Sequence, residues 1–225
     1  MDEIFAIAHS LWKRLLAAKV VYFLSLCAIA LIGITKMYDV LMIGESRNLM
    51  VDTAFMLITI ASMLTVISLA FDIPKELQSG IASVLLSKPL GRTHYLIGKL
   101  LGVSCVAMFI ALLISIGFLI IYGMTYGAPS ANMLKALALV IISIIPMASL
   151  VLFFASFLNE AVAATISTIG IWVGYMLFAL NGFTLYDLSI FNMSAEAFYN
   201  DPISNMYLIK AAFSALLTAI TMVCL

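Results

Sequence analysis

DIPKELQSGIASVLLSKPLGRTHYLIGK, residues 72–99, decides how the rest of the chain is read. It carries four of the chain's eleven Lys and Arg residues, and apolar runs of membrane-spanning length lie on both sides of it. Pro74 suits the first position of a helix, where its missing N–H costs nothing, with Asp72 just before it as a cap. From there Lys75–Leu86 is predicted as a short helix with Leu77, Ile81, Val84 and Leu85 on one face. Lys75, Glu76, Gln78 and Ser79 fall on the polar side, and Ser83 lies nearer the boundary. Pro89 and Gly91 end that helix, and Arg92–Lys99 leads into the next apolar run. The residues alone leave two roles open for such an element, a passive connector or a docking site.

Composition places the whole chain in a membrane. Of its 225 residues 65% are hydrophobic and 10% charged, with a mean hydropathy of +1.20. A water-soluble domain carries about 25% charged residues, enough to cover its surface. The length suggests one domain, 1–225. The net charge of zero offers nothing to nucleic acid. Cys27, Cys105 and Cys224 sit inside apolar runs without CxxC spacing and read as small hydrophobes. Asp2 and Glu3 stand where a signal peptide would have its basic region, so no cleavable signal is expected.

Working outward, residues 3–16 place Ile4, Phe5, Ile7, Ala8, Leu11, Trp12, Leu15 and Leu16 at helical spacing on one face. This helix is too polar to span and is predicted to lie in the interface. Trp12 then sits at headgroup depth, and Lys13, Arg14 and Lys19 face the phosphates. Six spans follow, at about 20–35, 53–71, 100–122, 136–158, 161–180 and 207–225. Pro146 is expected to kink the fourth. Asn159-Glu160 makes a tight turn between the fourth and fifth. Residues 181–206 hold three acids, no Lys or Arg and several aromatics, which suits short helices at the outer surface. Lys210 can snorkel outward, and the final apolar run implies either further residues or a very short tail.

Six spans put both ends on one side. With the N-terminus inside, Lys13, Arg14, Lys19, Lys75, Lys88, Arg92 and Lys99 are inside, and Lys36, Arg47, Lys135 and Lys210 are outside. Seven against four satisfies the positive-inside rule.

No phosphate loop of the form GxxxxGK[ST] occurs, so ATP hydrolysis is not expected of this chain. HExxH, GxSxG and Cys-His clusters are also absent. His9 and His94 read as surface residues. The fourteen Met residues show no MxxM clustering and read as packing rather than copper ligands. Ionisable groups are almost missing from the spans, which argues against a proton- or sodium-coupled carrier.

Glu76-x-x-x-Gly80, Leu85-Leu86-Ser87-Lys88-Pro89, Arg92, Tyr95 and Gly98-Lys99 together resemble the signature of ABC-2 type permeases. These are the membrane subunits of type V ABC exporters. The likeness runs along the whole chain, with an N-terminal elbow helix, six spans and a large cytoplasmic connection between spans 2 and 3. It implies an all-α membrane protein whose Lys75–Leu86 segment is the coupling helix seated on a separate ATP-binding subunit. Carried over by position, Lys75, Glu76, Gln78, Ser79, Gly80 and Ser83 would contact that subunit. Pro89 and Arg92 would fix the turn back to span 3, and Asn159 and Glu160 would form a second, smaller contact. ATP and magnesium would belong to the partner, with no cofactor in this chain. A second permease subunit, identical or related, would complete the pathway. The implied location is the inner (cytoplasmic) membrane, multi-pass, with the N-terminus cytoplasmic. Two other classes stay open: a membrane assembly or docking protein that uses the connector only to bind, and a membrane-embedded enzyme.

Overall fold

The structure, a computed structural model, describes residues 2–17, 19–35, 46–78 and 92–181, with 212, 216, 219 and 220 near the C-terminus. These residues form helices α1 (Asp2–Ala17), α2 (Lys19–Thr35), α3 (Ser46–Gln78), α4 (Arg92–Tyr126), α5 (Ala131–Phe157) and α6 (Glu160–Asn181), and no strand among them. Among the described residues, three helices are long and apolar enough to cross a membrane: Leu49–Glu76, Thr93–Tyr126 and Ala131–Phe157. In hydrocarbon every backbone polar group must be paired inside the segment, so apolar runs of this length are helical whatever their β-branched content. Many hydroxyls inside these helices are satisfied the same way, although the buried Ser104 of α4 has no partner among the described residues. On α3, Thr53 donates to Leu49, Thr59 to Phe55, Ser62 to Ile58 and Thr65 to Ala61, at 2.7–2.9 Å from the carbonyl oxygens.

Helix α3 is the centre of the packing and touches α2, α4, α5 and α6. Its Ile58, Val66 and Leu69 are fully buried in one core with Val106, Ile110 and Ile114 of α4 and Leu139, Ile144 and Val151 of α5. Phe55 of α3 meets Phe118 of α4, and Tyr122 and Tyr126 extend that ring stack along α4 at centroid spacings of 5.5–6.4 Å. Phe23, Leu26, Met56, Ile120 and Phe157 point outward and exposed. An apolar shell around an apolar core suits lipid, not water.

Helices α3 and α4 run antiparallel. Arg47 at the start of α3 reaches Tyr122 near the end of α4, Nε donating to Oη at 2.8 Å, and Glu76 near the end of α3 reaches the start of α4. A four-residue turn, 127–130, joins α4 to α5. Gly127 takes the left-handed φ of +91° that a side chain would resist, and Ser130 caps α5 by accepting the Met133 N–H. Helix α5 passes Pro146 without a break. Leu158 and Asn159 alone separate α5 from α6, as the tight polar turn predicts.

The structure corrects one sequence expectation and gives partners to two further residues. Pro74 does not start a separate helix, because α3 continues through it to Gln78. A proline inside a helix costs about 3 kcal/mol. Here Ile73 and Pro74 are buried against the core, and Asp72 and Glu76 are held one turn apart by the same arginine, so tertiary contacts hold the last turn in place. That arginine, Arg14, is paired with Asp72 and Glu76 while its side chain stays half-exposed. Trp12 packs edge-on against Phe109 of α4 at 5.6 Å and is partly buried there. Residues 79–91, which hold most of the expected Lys75–Leu86 helix, lie outside the described residues, as do the outer segment 182–206 and most of 207–225.

Candidate functional site

A cluster of paired polar side chains lies where the Asp72–Lys99 connection joins its flanking helices. Asp72 and Glu76 are four residues apart and face the same way from α3. Tyr95 and Lys99 have the same spacing on the first turns of α4. Lys99 Nζ donates to Glu76 Oε1 at 2.6 Å, and Tyr95 Oη donates to Oε2 at 2.5 Å. Both carboxylate oxygens therefore hold a donor from α4. Arg14 arrives from α1, with one guanidinium nitrogen donating to Asp72 and the other 3.6 Å from Glu76 Oε1. Three helices thus meet on two carboxylates.

Burial sets the weight of each contact. Lys99 is only 3% exposed, and its ammonium lies 5.6 Å over the Tyr95 ring. Burial opposes the charge on Glu76, whose side chain is 15% exposed, and the cations of Lys99 and Arg14 with the Tyr95 hydroxyl offset it. The Arg14 side chain is 53% exposed, so solvent screens its pairs strongly.

The approach of α1 depends on two glycines of α4. A Cβ on Gly98 would sit 3.0 Å from Ile7 Cβ, and one on Gly102 would sit 3.0 Å from Leu11 Cβ and 3.2 Å from Ala8 Cα. Gly98-x-x-x-Gly102 therefore lets two helices touch at backbone distance. Beside this contact lies a cavity of about 240 Å³. Ile7 and Leu11 form its apolar wall, Glu76, Tyr95 and Lys99 its polar floor, and Ser10 and Arg14 its rim.

The ten residues expected to contact a partner fall into three groups. Lys75 and Gln78 are exposed on the last turn of α3, while Glu76 turns inward to the clamp. Ser79, Gly80, Ser83 and Pro89 lie outside the described residues, and Arg92 is the first residue of α4. Asn159 is exposed and opens α6, its carbonyl accepting the Ala163 N–H at 2.7 Å, and Glu160 is half-buried in the first turn. Antiparallel order of successive helices puts Asn159-Glu160 at the same end of the molecule as Glu76. Nothing in the sequence marks Asp72, Tyr95, Lys99 and Arg14 as a unit beyond the pair of matching four-residue spacings, acid on one side of the connector and donor on the other.

Among the described residues no group of three His, Cys, Asp or Glu side chains could hold a metal ion. What the arrangement offers is mechanical: a rigid, charge-paired junction between the two ends of a connector and an amphipathic helix. Compared with known proteins, the chain matches no family model and no curated protein.

Proposed function

We propose that this chain is the membrane-spanning permease subunit of an ATP-driven exporter of the ABC-2 type, which couples ATP hydrolysis by a separate subunit to movement of a substrate. In this reading α1 is the elbow helix. Helices α2 to α6 and the segment near 207–225 are six spans, and the chain lies in the inner membrane with its N-terminus cytoplasmic. The observation that carries the reading is the junction at Glu76. A force applied to the connector between α3 and α4 cannot move one of these helices alone, because Glu76 ties α3 to α4 through Lys99 and Tyr95. Arg14 ties the same point to α1. A docking helix needs such a junction if a push on it is to tilt spans rather than bend a loop.

The roles follow from the residue chemistry. Lys75, Gln78, Ser79 and Ser83 present polar groups to a cleft on the ATP-binding subunit. Gly80 allows close backbone approach there. Pro89 and Arg92 set the return into α4, and Asn159-Glu160 gives the smaller contact. ATP and magnesium stay on the partner, and two permease chains line the path. The chemistry is thus the partner's, and this chain is not an enzyme.

The test is purification of the tagged full chain from its native membrane. The reading expects an ATP-binding protein to co-purify, with hydrolysis that rises in lipid. Glu76→Ala combined with Gly80→Trp is expected to lower transport-linked hydrolysis at least ten-fold. If no ATPase co-purifies and the double variant leaves hydrolysis unchanged, a docking protein or a membrane enzyme is the better reading.

A further inference from the structure

We infer that the cavity between α1 and the clamp holds a small cluster of ordered waters that completes the hydrogen bonding of Lys99 and so forms part of the Glu76 junction. The inference needs only the geometry of this junction and does not depend on the permease reading. It begins with Lys99. An ammonium group has three donors. One goes to Glu76 and, among the described residues, no other acceptor engages it, yet the residue is 3% exposed. The Tyr95 ring, 5.6 Å away, attracts the charge without replacing a hydrogen bond. Leaving donors of a buried cation unmet is costly, so acceptors belong in the adjoining space.

The neighbouring side chains are committed to one another. Both oxygens of Glu76 hold donors, from Lys99 and Tyr95, and Arg14 faces Asp72 and Glu76. Ser10 donates to the Ile7 carbonyl at 2.9 Å. What stays open is acceptor capacity on the two hydroxyls. A hydroxyl that donates one bond still carries lone pairs, so Tyr95 Oη and Ser10 Oγ can each accept from a water. A water held by a Lys99 donor can return its own hydrogens to them, which gives it the polar partners that buried water needs. It also brings no charge that the junction would have to balance.

The space fits this occupant. The cavity measures about 240 Å³, against the roughly 10–15 Å³ that one water needs. Cavities that stay dry are lined by apolar side chains. Here Ile7 and Leu11 close one side, and polar side chains line the rest. The waters therefore bridge Ser10 of α1 to Lys99 and Tyr95 of α4. The contact between these helices is wet on that side and dry at Gly98 and Gly102, where backbone meets side chain.

The experiment is radiolytic footprinting of the full chain in nanodiscs of phosphatidylethanolamine and phosphatidylglycerol. Hydroxyl radicals made from a bound water oxidise the side chain beside it, however little that side chain meets bulk solvent. Tyr95 and Tyr122 give an internal comparison, since they are 6% and 2% exposed and of the two Tyr95 alone lines the cavity. Tyr95 is expected to be oxidised faster than Tyr122 by about five-fold or more, because bound water sets its rate. Ser10→Phe fills the cavity from its exposed rim and is expected to bring Tyr95 down to the Tyr122 rate with helix content unchanged. Ser10→Ala keeps the cavity open and is expected to slow Tyr95 by no more than about two-fold, since it removes one acceptor of several. Equal oxidation of the two tyrosines in the unaltered chain, or a Tyr95 rate that Ser10→Phe leaves unchanged, would overturn the inference. So would oxidation of Tyr95 in detergent that is lost in nanodiscs, the result of a lipid filling the cavity.

Discussion

Lys99 and Arg14 reach the same carboxylate from opposite surroundings, and their replacements should differ accordingly. Lys99 is buried, so Lys99→Met strands part of the Glu76 charge in a poorly solvated place. Breaking a buried pair from one side costs about 3–5 kcal/mol. Arg14 is half-exposed, and Arg14→Ala is expected to cost about 1 kcal/mol or less. Thermal unfolding in a single detergent measures both. The double change Lys99→Met with Glu76→Gln is expected to recover much of the loss, because it removes the stranded charge with its partner. Equal effects of Lys99→Met and Arg14→Ala would contradict the burial argument. At this scale the acids and donors are legible in the sequence as two four-residue spacings. That Glu76 meets Lys99 across 23 residues of connector is not, because no local pattern carries that pairing.

At the scale of elements, the docking of α1 on α4 is the most sensitive contact. A Cβ on Gly98 or Gly102 would fit only if α1 gave way by a few tenths of an ångström, and a longer side chain would need more. Gly98→Leu and Gly102→Leu are each expected to push α1 off α4 and to lower stability by about 1–3 kcal/mol through overpacking. Trp12 reports the event, since it packs on Phe109 in the docked state. With Trp172→Phe as background, its emission is expected to shift to the red and to become more accessible to acrylamide. Unchanged Trp12 emission would show that α1 is held by other contacts. Helix existence was legible from apolar runs alone, because in hydrocarbon an apolar run of that length has no other stable backbone. The end of α3 was not. Local rules put Pro74 at a helix start, and they take no account of Ile73 buried beneath it or of Arg14 gripping both flanking turns. The apolar face of α1 was legible, but its partner was not: Trp12 and Arg14 suit a lipid surface as well as they suit α4 and the clamp.

For the whole molecule, the antiparallel order of α3 and α4 separates two polar ends. Arg47 and Tyr122 close one end, and the Glu76 clamp closes the other. The proposed coupling requires the clamp end to face the compartment that holds ATP. Gln78, exposed as the last residue of α3, stands beside the connector and is a direct probe of that requirement. Gln78→Cys should leave the clamp untouched. The decisive measurement is labelling and crosslinking of this variant in intact cells and in opened membranes. No reaction with a membrane-impermeant maleimide is expected until the membrane is opened, and then a crosslink to an ATP-binding protein whose yield changes when ATP is added. Labelling from outside intact cells, or a crosslink yield indifferent to ATP, would contradict it.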